Sequence, residues 1–150
     1  MIQIVYGSGG GNTEFVCNLL AEKLITKGFN VSLLKAKVTS FDYLDVAELS
    51  IFASPTYGHG LMEKYMGKFL KSYGRSHYDM KELKFAVIGL GDKKYDEDYF
   101  IESANILEEF VKRNDGELVC ESLRIGGCVY DSLESKIDEF VKNILKTLNE

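Results

Sequence analysis

The sequence has no tryptophan, a single proline, only two histidines, and no lysine or arginine before Lys23. Each scarcity excludes something. With Pro55 as the only proline and no low-complexity tract or internal repeat, there is no candidate linker, and residues 1–150 are expected to form one domain. The three cysteines, Cys17, Cys120 and Cys128, are odd in number and lack metal-ligand spacing. They read as reduced thiols of a cytoplasmic protein, without a disulfide framework. No apolar run is long enough for a membrane span, and Met1 leads directly into a strand-like segment, so neither a signal peptide nor a membrane contact is expected. A net charge of −5 argues against nucleic acid as a partner and favours docking to basic patches on other proteins.

What is present begins at Tyr6-Gly7-Ser8-Gly9-Gly10-Gly11-Asn12-Thr13, where an apolar strand turns into a helix. Ile2, Ile4 and Val5 precede it; Phe15, Val16, Leu19, Leu20 and Leu24 follow at helical spacing. A glycine-rich, hydroxyl-rich turn at such a junction offers backbone N–H groups and a helix N-terminus to an anion, most often a phosphate. A P-loop is excluded, because Asn12 stands where its lysine belongs. The dinucleotide fingerprint also fails: Gly7 and Gly9 match its start, but Asn12 breaks it, and no acidic residue closes the next strand at Leu33-Leu34-Lys35. The remaining cradle is cation-free, built from the Ser8 and Thr13 hydroxyls and the N–H groups from Gly9 to Thr13, and it suits one monoester phosphate.

Strand and helix patterns alternate along the whole chain. Strands are expected at residues 2–6, 30–34, 49–54, 85–89 and 118–125, the last broken by polar residues. Helices are expected up to residue 26 and at 62–73, 100–114 and 133–148. This order predicts an α/β fold, a parallel sheet with helices on both faces. Ligands of such a sheet collect at the carboxyl ends of its strands. Two further loops lie there, Pro55-Thr56-Tyr57-Gly58-His59-Gly60 and Gly89-Leu90-Gly91-Asp92-Lys93-Lys94-Tyr95. Each places a tyrosine in a polar turn. Two such rings beside a monoester phosphate point to a mononucleotide-like cofactor held by stacking.

These three loops, in this order, resemble those of the flavodoxin family over nearly the whole chain. Residues Ser8 to Thr13 match its phosphate loop, Pro55-Thr56-Tyr57-Gly58 the loop that packs an aromatic on one flavin face, and Gly89-Leu90-Gly91-Asp92 with Tyr95 the loop that covers the other. The resemblance, to the short-chain type, implies a flavodoxin-like, doubly wound, five-stranded parallel sheet of order 2-1-3-4-5. It implies FMN as cofactor and low-potential electron transfer between redox partner proteins, with no substrate turnover and with a monomeric chain. It also implies that the Gly58 carbonyl faces flavin N5 and that Asp92 and the N–H groups around Gly91 meet the polar edge of the ring. An FMN-dependent reductase, or an accessory flavoprotein of one pathway, remains the alternative on the same fold. The sequence departs from the family at Gly10, where threonine is usual, at His59, where many members are acidic, and at Tyr57, which replaces a tryptophan.

Other residues read more plainly. His59 is either a loop residue in water or a group that tunes the flavin, and His77 is a surface residue. Ser54, His59 and Asp92 have the letters of a hydrolase triad, but no serine lies in the elbow that a nucleophile needs. Met62, Met66, Phe69 and Leu70 share one helix face and belong to the core. Asp96, Glu97, Asp98 and Glu102 form either a solvated face or an acidic docking rim.

Overall fold

The structure, a computed structural model, describes residues 1–7, 10–38, 46–57, 61–75, 79–91, 101–126 and 132–148. The element order is β1 (Ile2–Tyr6), α1 (Asn12–Thr26), β2 (Val31–Lys35), a 3-10 turn (Ala36–Val38), β3 (Leu49–Tyr57), β4 (Leu61–Met62), α2 (Lys64–Arg75), β5 (Lys84–Gly91), α3 (Glu102–Arg113), β6 (Glu117–Leu118), β7 (Leu123–Gly126) and α4 (Leu133–Leu148). The parallel strands run in the order β2-β1-β3-β5, and β6 and β7 both pair with the outer side of β5. Counted along the sheet, this is the expected 2-1-3-4-5 arrangement with its fifth strand split. The break falls at Cys120-Glu121-Ser122, where the Ser122 hydroxyl donates to Glu108 Oε2 at 3.0 Å. Nearby, Thr147 Oγ1 donates to the Val119 carbonyl at 2.9 Å. The Val119 carbonyl, a group that a continuous strand would place in the ladder, is thus satisfied by α4, while the Val119 N–H still donates to the Phe85 carbonyl at 2.9 Å.

Helices cover both faces, so the central strands are apolar on both sides instead of alternating. On one face Ile2, Ile4, Ile51, Ala86 and Ile88 pack against Val16, Leu20 and Leu24 of α1 and Ile137, Phe140 and Ile144 of α4. On the other, Val5, Phe52, Phe85 and Val87 pack against Met66 and Phe69 of α2 and Leu107 and Phe110 of α3. Phe52 centres the second layer, with its ring 5.8 Å from Phe69 and 5.3 Å from Phe85. Met66, Phe69 and Leu70 are buried, as their helical spacing predicts. Gln3 is the exception in β1: it is 1% exposed, and among the described residues neither side-chain amide atom has a partner.

Two strands run further than the sequence predicts, and this shapes the site. β3 continues past Ser54 to Tyr57, and β5 past Gly89 to Gly91. Pairing sustains both extensions. Thr56 and Tyr57 pair antiparallel with Met62 and Leu61 of β4, while Gly91 pairs with Gly126 of β7.

Candidate functional site

β1, β3 and β5 end at one edge of the sheet, and the described parts of all three sequence-identified loops lie there. The first follows β1. Gly11 stands at the N-cap of α1 with φ of 89°, in the left-handed region that glycine enters without strain, and among the described residues no side chain caps the first turn. The first helical hydrogen bond, Phe15 N–H to the Gly11 carbonyl, is 3.0 Å, so the N–H groups ahead of it point out of the helix end. Gly10, Gly11 and Asn12 are exposed, and a Cβ at Gly10 or Gly11 would meet nothing within 4 Å. Thr13 turns inward and is 1% exposed.

Gly7 is a glycine for another reason. A Cβ there would collide with the Glu63 carboxylate, whose Cδ lies 2.8 Å from the position it would take. Glu63 is 4% exposed, and its Oε2 accepts the Met66 N–H at 2.7 Å, capping α2. Its own N–H donates to Ser54 Oγ at 3.3 Å. Glu63 thus ties the base of the first loop to the end of β3 and the start of α2. The sequence signal for it is an acidic residue directly before an apolar helical pattern.

At the end of β3, Pro55 is half-buried and Thr56 is buried. Thr56 Oγ1 donates to Ser103 Oγ at 2.8 Å and accepts the Ser103 N–H at 3.0 Å. Ser103 Oγ in turn donates to the Ser54 carbonyl at 2.9 Å. This closed ring of hydroxyls locks the start of α3 to β3 and uses the Thr56 hydroxyl in doing so. Ser54 is fully buried, with its Oγ donating to the Pro55 carbonyl at 2.9 Å, which excludes it as a nucleophile. Tyr57, next along, is 40% exposed at the strand end.

β5 contributes Gly89, Leu90 and Gly91. Gly89 is buried under α3, where a Cβ would lie 2.6 Å from Ala104 Cβ and 2.9 Å from the Ala104 nitrogen, so its lack of a side chain serves helix packing. Leu90 belongs to the core, and Gly91 is partly exposed at the strand end. Ser8, Gly9, Gly58, His59, Gly60, Asp92 and Tyr95 lie outside the described residues, as do His77, Asp96, Glu97, Asp98 and Cys128.

The electrostatics beside the site are set by carboxylates and lysines. Burial, then the charge and hydrogen bond of Glu14, push the Tyr6 phenol up to about 12, so it stays neutral. The buried Cys17 thiol is held well above its usual range by desolvation and the Glu14 charge, which leaves it inert. A cleft of about 800 Å3 opens elsewhere, between α1 and α4, where Leu19, Val141 and Leu145 alternate with Lys23, Asp138 and Lys146. It touches none of the three loops. Among the described residues there is no cluster of His, Cys, Asp or Glu able to hold a metal, and no helix long and apolar enough to cross a membrane.

A glycine-led helix N-terminus, with exposed Gly10 and Gly11 that no described atom crowds, and a 40%-exposed aromatic at the next strand end fit a phosphate joined to a flat ring, as FMN presents. The comparisons with known proteins agree. Residues 4–140 match the Flavodoxin family model. A MioC homologue of Haemophilus influenzae is 26% identical over 98% of both chains, and a flavodoxin of Maridesulfovibrio salexigens is 30% identical over 83% of this chain and 84% of its own. Oxidised flavodoxin 2 of Bacillus cereus, a crystal structure, superposes with a TM-score of 0.87 at 28% identity over 97% of each chain. The chain belongs to the flavodoxin family of FMN-binding electron-transfer proteins.

Proposed function

We propose that this chain shuttles single electrons between redox proteins of the cytoplasm, as a monomer and with no substrate turnover of its own. The observation that carries this reading is the glycine-led N-terminus of α1, with Gly10 and Gly11 exposed, at the same sheet edge as the 40%-exposed Tyr57. The phosphate rests on the N–H groups of Gly9 to Thr13 and the hydroxyls of Ser8 and Thr13. Tyr57 and Tyr95 cover the two faces of the ring and keep water from them. Pro55, Gly58, His59 and Gly60 form one wall and Gly91 and Asp92 the polar end, while Thr56, Gly89 and Leu90, bonded to Ser103 or buried, support them from behind. Bound FMN supplies the one-electron chemistry. The chain contributes position, a phosphate cradle without a cation and a net negative charge that disfavours added negative charge.

Stepwise reduction of the FMN-loaded protein, followed by visible absorption, tests this. A long-wavelength band that rises and then falls as electrons are added one at a time is expected. Direct bleaching by NADH without that band would overturn the carrier in favour of an FMN-dependent reductase.

A further inference from the structure

α2 carries a charge pattern opposite to that of the chain. The whole sequence has a net charge of −5, yet α2 contains lysines at 64, 68 and 71, Arg75, and no acidic residue. Lys64, Lys68 and Lys71 are exposed, on the side opposite the buried Met66, Phe69 and Leu70. Lys37, from the turn after β2, joins them. Three ammonium groups gather over one ring: the Nζ atoms of Lys37, Lys64 and Lys68 lie 5.1, 5.6 and 5.7 Å from the Tyr65 centroid. Among the described residues, no carboxylate forms an ion pair with any of the three.

The arrangement works against the helix that carries it. Lys64 and Lys68 are like charges one turn apart, and Lys64 sits in the first turn, where the helix dipole disfavours a cation. The Tyr65 ring only partly offsets this repulsion. By contrast Lys23, on α1, is paired with Asp138 at 2.7 Å. The patch also adjoins the cofactor side of the molecule. A cleft of about 220 Å3 leads from Gly7, at the base of the phosphate loop, past Glu14 to Lys37 and Tyr65. Glu14 and Glu63 line that cleft together with Lys35 and Lys37, so inside it charges of both signs meet, whereas Lys64 and Lys68 stand outside it.

We infer that the Lys37–Tyr65–Lys64–Lys68 face is a docking surface for a protein partner that presents clustered carboxylates. The carrier reading above enters only in taking that partner to be a redox protein. A protein fits better than nucleic acid or an anionic membrane, because outside one helix face the chain repels extended polyanions through its negative charge.

The test titrates the FMN-loaded protein into a fluorescent oligoglutamate peptide and reads anisotropy. Binding is expected at low ionic strength and is expected to weaken steeply toward about 150 mM salt. Lys37→Gln/Lys64→Gln/Lys68→Gln should weaken it about tenfold or more, whereas Lys142→Gln/Lys146→Gln on α4 should leave it unchanged. Lys68→Glu alone should also weaken it, a check in a single surface change. Unfolding curves and the flavin spectrum of the variants should match the parent, which separates this result from any failure of the carrier reading. The inference is overturned by no binding at low salt, by equal losses in the α4 variant, or by tighter binding of a DNA duplex or phosphatidylserine vesicles than of the peptide. It is likewise overturned if the lysines prove to hold a second copy of the chain, seen as self-association that the triple variant abolishes.

Discussion

Two helices start at the same edge of the sheet, and their N-termini are treated in opposite ways. α2 begins at Glu63, whose buried carboxylate takes the Met66 N–H, so its first turn is closed from within. α1 begins at Gly11, in a left-handed conformation, and among the described residues no side chain caps it. The energy of orphan N–H groups is the same problem in both places. For α2 the fold answers it with its own carboxylate; for α1 the proposed phosphate would answer it. An uncapped N-terminus costs roughly 1 kcal/mol of helix stability, and an anion in front of it recovers that and more.

The largest expected effect comes from placing a carboxylate at the N-terminus of α1. Gly11→Asp puts a residue type that tolerates the left-handed region better than most where the proposed phosphate would sit. It should cost the flavin-free protein some stability through backbone strain, while weakening FMN by about 2–3 kcal/mol, with a far smaller loss for riboflavin. Fluorescence-quench titrations of both flavins decide it; equal losses would place the phosphate elsewhere.

Much of this edge is legible in the sequence, and the rest is hidden for identifiable reasons. The β1–α1 junction is plain because apolar residues change period across a run of glycines. The ends of β3 and β5 are misread as loops, since Pro55, Gly89 and Gly91 carry turn signals that pairing overrides: Tyr57 pairs with Leu61, and Gly91 with Gly126. β4 has only two residues, too few for any periodicity. Glycines alone cannot announce why they are glycines. Gly10 and Gly11 face open space, whereas Gly7 and Gly89 make room for Glu63 and Ala104. Glu63 itself escapes a reading of loops because its partners are a glycine 56 positions away and a helix of its own.

A second, smaller effect sharpens the contrast at α2. Glu63→Ala should cost about 1–2 kcal/mol in urea unfolding, as the loss of a cap does. Gly7→Ala should cost a similar amount by pushing the carboxylate off Met66, and the double variant should cost less than the sum of the two. Strict additivity would mean that Gly7 and Glu63 do not share one space.

The smallest effect is a pH dependence beside the first loop. The Tyr6 phenol, raised from 10.0 to about 12 by burial and by Glu14, holds its proton more tightly folded than unfolded. Its contribution is therefore complete below pH 10 and is lost as pH climbs from 10 toward 12. Tyr6→Phe should flatten that part of the stability profile. An unchanged alkaline slope would remove Tyr6 as its source.

The split fifth strand has a consequence of a different kind, for what the sheet can do to other sheets. The outermost position beside β5 is filled by two short pieces, Glu117–Leu118 and Leu123–Gly126, separated by residues whose polar groups are turned toward α3 and α4. A neighbouring chain seeking to extend the sheet there finds no continuous row of N–H and C=O groups, only two stubs of two and four residues. An open parallel sheet always has edges that invite aggregation. On this side the invitation is withdrawn by interruption, and the exposed Arg124 adds a charge within the longer piece.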